Sequence, residues 1–176
     1  MTITDAEMAA LLAPAGFRFV TRLARDEAPN FPLPPGHSCA TTRPEHGRFD
    51  SHKDEIVDVD APDMPDKVNA SWYRMAAEHG LFNEHREFLL AVDYGGPEDD
   101  DPEELLRGWA QVRLRDGWDL VRSEVDQFRS PMASLFTPRF VPEFTALSLD
   151  GLVIMNTTVW GNGTVSTIAV RPESTP

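Results

Sequence analysis

The chain has 176 residues, 41% of them hydrophobic, and its 29 acidic residues against 16 Lys and Arg give a net charge of −13. This composition is typical of a globular protein and not of a disordered one, and no apolar run approaches the ~20 residues of a transmembrane helix. Because such a charge repels phosphates and anionic lipids, direct binding to nucleic acid or membranes is disfavoured and a cationic protein partner is favoured.

The first residues predict a helix followed by a strand. Thr4 and Glu7 have the spacing of a capping box, and apolar residues at helical spacing follow until Pro14 and Gly16 end the helix. Residues 16–24 then alternate apolar and polar side chains, as in a half-buried strand. We expect one domain over residues 1–176, with 1–60 as a candidate N-terminal lobe and a Pro-rich loop at 28–36.

The middle of the chain predicts a strand, a helix and a second strand. Residues 54–62 place two valines on one face and Asp58 and Asp60 on the other. Residues 61–80 follow as a helix that begins near Pro65 and ends at Gly80. Residues 85–94 favour a strand, with a helix as the alternative.

The second half predicts one more helix and mostly strands. Capping residues at 101–104 and an apolar stripe at 105, 109 and 112 indicate a helix that Gly117 ends, and residues 118–125 read as a strand. Residues 145–172 alternate strongly around two Gly-containing turns, which indicates a three-stranded meander. The fold class is therefore α+β: a mostly antiparallel sheet with two or three helices packed on it.

The negative charge is concentrated in residues 51–110, which carry 16 acidic and 5 basic residues, a balance of −11. Two acidic segments, 54–66 and 98–104, account for most of it, and a tryptophan beside such a patch is a good interface anchor. The sequence therefore predicts partner-binding residues in these two segments and at the 161–163 turn, namely Asp58, Asp60, Glu98, Asp99, Asp100 and Trp160.

Residues 36–52 hold the only cysteine and three of the five histidines. His37, Cys39, His46 and His52 are chemically acceptable ligands for zinc, and a histidine beside Cys39 could serve as the base of a catalytic thiol. The four residues are scattered singly instead of in the paired spacing typical of zinc sites, and no helix start follows the cysteine. We interpret the stretch as a polar loop.

Two acidic patterns invite comparison with metal sites. Asp58 and Asp60 share one face of a strand and would suit a divalent cation, but the chain has no glycine-rich phosphate loop to accompany them. The consecutive acids at 98–101 do not match the alternation of an EF-hand loop. We predict no metal and no other cofactor.

These features favour a non-enzymatic inhibitor whose carboxylates occlude a cationic site, made for nucleic acid or a dinucleotide, on a partner toxin or enzyme. Small, acidic and without catalytic motifs, the chain resembles bacterial immunity proteins in format, although no motif assigns it to a family. An alternative is an enzyme or small-molecule binder with a pocket between the meander and the helices, using His79, His85 or carboxylates. A structural or oligomeric role and an acidic surface serving solubility alone remain further alternatives.

The cellular compartment is expected to be the cytoplasm. The N-terminal residues have acids where a secretory signal has basic residues, and a single cysteine excludes an internal disulfide.

Overall fold

The structure, a computed structural model, describes residues 2–23, 27, 29, 49–95 and 107–172, and only the backbone of 49–53, 107 and 172. Its two α-helices are α1, Asp5–Leu12, and α2, Met64–His79. The predicted capping box begins α1: the Glu7 N–H donates to Thr4 Oγ1 at 3.2 Å, and the Thr4 N–H donates to Glu7 Oε2 at 2.7 Å. Gly80, with a φ of 81°, ends α2 as predicted.

All pairs of neighbouring strands in the sheet are antiparallel. The strands are β1, Phe17–Leu23; β2, Phe49–Lys53; β3, Val57–Asp58; β4, Glu87–Asp93; β5, Arg107–Leu114; β6, Phe144–Leu147; β7, Ile154–Val159; and β8, Thr164–Pro172. The strand order is β1-β5-β4-β6-β7-β8-β2, and β3 pairs with β8 next to β2 along the same edge. The C-terminal strands β6, β7 and β8 form the predicted meander.

Both helices pack on one face of this sheet, and the main core lies between them and the strands. Trp72 of α2 is fully buried there, with its ring 5.8 Å from Phe88 of β4 and 5.9 Å from Phe144 of β6. The opposite face carries a second, smaller apolar cluster with Trp109 and Trp160 packed against its buried residues, which are Leu89, Leu147, Ile154, Ile168 and Val170.

The prediction of a helix ending at Gly117 is wrong for the part of that segment that the structure describes, because Arg107–Leu114 forms the strand β5. Ala110 and Val112 are buried in the main core while Gln111 between them is half-buried on the other face, so the side chains alternate with a period of two. β5 is held between β1 and β4 by antiparallel pairing on both sides. The capping residues at 101–104 lie outside the described residues.

The predicted strand at 118–125 is also wrong, because this segment turns instead of extending. The Asp119 carboxylate accepts hydrogen bonds from the backbone N–H groups of Val121 and Arg122 at 2.9 and 2.8 Å, which closes a local turn. Leu120 and Val125 are buried in the main core without joining the sheet. Their apolar character therefore reflects core packing and not strand pairing.

Candidate partner-binding surface

Asp54, the first acid of segment 54–66, has a carboxylate that is occupied by contacts within the protein. Its carboxylate accepts hydrogen bonds from the Arg74 guanidinium at 2.6 Å and from the Ser71 hydroxyl at 2.9 Å. Burial raises the pKa of this carboxyl, but hydrogen bonds from the Glu55 N–H, Arg74 and Ser71 outweigh that effect and hold the pKa below its usual value. Asp54 ties the chain before β3 to helix α2.

Three more carboxylates of this segment are paired with basic side chains. Lys67 Nζ lies 3.2 Å from a Glu55 oxygen and 3.5 Å from an Asp63 oxygen. The hydrogen bond to Glu55 and the attraction of Asp63 raise the pKa of Lys67. Arg122 Nη2 lies 2.8 Å from an oxygen of Asp66. These exposed pairs contribute little to stability, but they reduce the negative charge that the segment presents.

Asp58 and Asp60 remain as the exposed carboxylates of segment 54–66 that have no ion pair with any described residue. The Asp58 carboxylate accepts a hydrogen bond from the Asp60 N–H at 2.8 Å, which turns the chain and ends β3 after two residues. Val57 and Val59 alternate with them and are buried, as the sequence predicts. The structure therefore leaves two exposed acids of this segment without an ion pair to a described residue.

Asp58 and Trp160 flank the same residue of the sheet. Asp58 pairs with Thr164 across β3 and β8, and the Trp160 N–H donates to the Thr164 carbonyl at 2.7 Å. Because side chains opposite each other share a face of an antiparallel sheet, Asp58 and Thr164 point to the face opposite α2. The Trp160 side chain lies on that face too, half-buried, with its Nε1–H donated to Ser166 Oγ at 2.8 Å. Two predicted contact residues thus lie on the same face of the sheet, on either side of Thr164.

An exposed apolar cluster, which no sequence pattern predicted, lies beside the β7–β8 turn at 161–163. Met132–Leu135 form a 3₁₀ turn that leaves Met132 and Leu135 exposed, followed by exposed Phe136. A β-carbon placed on Gly163 would lie 3.3 Å from Phe136 Cδ1, so the phenyl ring packs directly on the β7–β8 turn. In the sequence, the apolar residues between Pro131 and Pro138 follow neither a helical nor a strand period, so no pattern assigns them to a face.

Glu98, Asp99 and Asp100 lie outside the described residues, so their role as partner-binding residues stays a prediction. The Pro-rich loop at 28–36, except Pro29, also lies outside the described residues. The same holds for His37, Cys39 and His46, and of His52 only the backbone is described. Among the side chains that are described, no three His, Cys, Asp or Glu groups lie close enough to share a metal ion.

The histidines of the enzyme alternative are near one end of α2. His79 is half-buried in its last turn, and His85 is exposed with its Nε2 3.4 Å from a Glu84 oxygen. Between α2 and the meander, the described residues line a crevice that leaves no space for the centre of a water molecule; they are Glu55, Val57, Val68, Ser71, Val165, Ser166 and Thr167. This crevice therefore offers no ligand pocket, and the enzyme alternative stays a prediction.

No protein-family model, curated protein or solved structure matches the chain. Within the described ranges, neither α-helix has the length and apolar character needed to cross a membrane.

Proposed function

We propose that the protein is a non-enzymatic binding protein, of the immunity or antitoxin type, that captures a cationic protein partner and acts in the cytoplasm. Its carboxylates occupy a basic site on a toxin or enzyme that otherwise receives nucleic acid or a dinucleotide. The observation that carries the proposal is the pair of exposed acids, Asp58 and Asp60, beside Trp160 at one end of the sheet. Glu98, Asp99 and Asp100 are proposed to extend this surface.

Charge and an aromatic side chain have separate roles in such a complex. A net charge of −13 steers a basic partner and raises the association rate, an effect that salt screens. Trp160 adds aromatic area, which contributes more to affinity than exposed charges do. Neutralising Asp58 and Asp60 should therefore slow association and weaken its dependence on salt.

The test is affinity capture from the lysate of the native host by three forms of the protein, followed by mass spectrometry. The forms are the wild type, Asp58→Asn with Asp60→Asn, and the control Glu78→Gln with Glu84→Gln. The control removes the same amount of charge near the C-terminal end of α2. At a rise of 1.5 Å per residue, this end lies about 20 Å from the N-terminal end of the helix. The captured protein is washed at low salt and at about 0.5 M salt, because salt shortens the distance over which surface charges attract each other.

We expect one basic protein that the wild type and the control retain stoichiometrically at low salt and release more readily at high salt. The Asp58 and Asp60 variant should retain less of it, and the purified partner should lose activity on its nucleic-acid or dinucleotide substrate when the wild type is added. Equal affinity of the wild type and the Asp58 and Asp60 variant would show that these contact residues are wrong. Absence of a basic partner would remove the basis of the proposed class.

A further inference from the structure

The strongest unassigned feature of the described surface is the apolar cluster formed by Met132, Leu135 and Phe136. Leu135 is 78% exposed, the largest exposed fraction among the big hydrophobic residues that the structure describes. Scattered exposed apolar residues are ordinary, whereas these three fall within five positions of one turn. Clustered apolar residues at the surface are typical of a protein-binding site.

This cluster is connected to the segment of the acidic pair through Gly163 and Arg139. Phe136 packs on Gly163, and the Gly163 carbonyl accepts a hydrogen bond from the Val59 N–H at 3.1 Å, between Asp58 and Asp60. From the same segment, the Arg139 guanidinium donates to the Ala61 carbonyl at 2.7 Å. The apolar cluster therefore lies at the same end of the sheet as Asp58 and Asp60, the exposed carboxylates without an ion pair.

The charge of this surface restricts its occupant. A second copy of the chain would bring another net charge of −13 against Asp58 and Asp60, and nucleic acid or an anionic membrane would also be repelled. A segment with an apolar side chain between lysines or arginines is complementary to both parts: the apolar group covers the cluster while the cations reach the carboxylates. Burial of the apolar group supplies affinity, and the ion pairs set the orientation.

We propose that Met132, Leu135 and Phe136 form the apolar anchor of the interface and receive a partner segment in which an apolar side chain is flanked by basic residues. This inference rests on the proposed function, because it names the chemistry of the partner element at the same surface. It predicts that charge alone is not sufficient for recognition.

The test uses two synthetic peptides labelled with a fluorophore and measured by fluorescence anisotropy at low salt. Both carry two lysines on each side of a central pair, which is Leu-Phe in one peptide and Ser-Ser in the other. The protein forms are the wild type, Leu135→Ser, Met132→Ser, the double variant Asp58→Asn with Asp60→Asn, and the control Leu152→Ser. Leu152 is 55% exposed in the β6–β7 connection, at the opposite end of β7, which spans about 20 Å at 3.3 Å per residue.

The wild type and the Leu152 control should bind the Leu-Phe peptide about ten-fold more tightly than the Ser-Ser peptide, the size of one well-placed apolar contact. Leu135→Ser should abolish that preference, and Met132→Ser should reduce it. A preference that survives in Leu135→Ser would overturn the anchor, as would equal binding of both peptides or no binding of either. Sedimentation velocity provides a second criterion: a wild-type dimer that Leu135→Ser dissociates would show that a second copy is the occupant, which also overturns the inference.

The peptide experiment separates this inference from the proposed function. If both peptides bind equally and Asp58→Asn with Asp60→Asn weakens both, capture of a cationic partner stands and the apolar anchor fails. If neither Leu135→Ser nor Asp58→Asn with Asp60→Asn changes the binding of either peptide, both proposals fail at this surface.

Discussion

Arg74 donates a hydrogen bond of 2.6 Å to the carboxylate of Asp54, across 20 positions of the sequence. The Asp54 side chain is only 17% exposed, and it also accepts a hydrogen bond from the Ser71 hydroxyl. These contacts connect the chain before β3 to helix α2. An acid that the sequence places in a partner-binding segment is therefore a structural residue.

Replacing Asp54 by asparagine should destabilise the protein at neutral pH. The neutral amide would lose the ion pair with Arg74, and we expect the free energy of unfolding to fall by about 1–2 kcal/mol, discounted for the half-exposed guanidinium. Glu55→Gln is the matched control: its side chain is 50% exposed and pairs with Lys67, so the cost should stay below about 0.5 kcal/mol. Urea denaturation of the two variants measures both costs, and equal costs would contradict the structural role of Asp54.

The same substitution should change how stability depends on pH. The pKa of Asp54 is lower in the folded state than its ordinary value of 3.8, so its stabilising effect is present above that pH and is lost as the pH falls through the folded-state pKa. The difference in unfolding free energy between wild type and Asp54→Asn should be constant from neutral pH to about pH 5 and shrink below about pH 4. A difference that is the same at pH 7 and at about pH 3 would rule out the charged carboxylate as its source.

Gly163 should tolerate a side chain poorly, whereas Gly161 in the same turn should accept one. Gly163 has a φ of +78°, and its added β-carbon would lie 3.3 Å from Phe136. Left-handed backbone strain for an L-residue and this close contact together should lower the free energy of unfolding of Gly163→Ala by about 1–3 kcal/mol. Nothing lies within 4 Å of a β-carbon on Gly161, so Gly161→Ala should stay within about 0.5 kcal/mol of wild type. Thermal or urea unfolding checks the ranking, and equal losses would contradict the packing of Phe136 on the turn.

Thr157 and Thr167 should behave as a coupled pair. They face each other across β7 and β8 in the buried layer, with their hydroxyl oxygens 2.9 Å apart. Thr157→Val alone leaves the Thr167 hydroxyl buried without this partner, at a cost of about 1–2 kcal/mol, and Thr167→Val does the reverse. The double variant should cost less than the sum of the two, since an apolar pair of the same shape replaces both hydroxyls. A double-mutant cycle by urea denaturation measures the coupling, and strictly additive costs would argue against the hydrogen bond.

Elements with complete local signals were predicted correctly. The capping box at Thr4 and Glu7, the left-handed Gly80 after α2 and the alternation of the last three strands each depend on residues close together in sequence. The apolar positions at 105, 109 and 112 fit helical spacing and predict a helix that includes residues 107–114. Pairing with β1 and β4 selects the period-two pattern of the same residues instead.

By itself, the sequence determined the α+β class, the excess of acid in residues 51–110 and the outward direction of Asp58 and Asp60, since all three follow from composition and local periodicity. Only the tertiary structure decided which acids of segment 54–66 form ion pairs, because Arg74 and Arg122 reach Asp54 and Asp66 from positions far along the chain. It also brought Phe136 onto Gly163, whose carbonyl accepts the N–H of Val59, so that the apolar cluster lies at the same end of the sheet as Asp58 and Asp60. Such long-range pairings depend on how strands and helices pack, which no local pattern encodes.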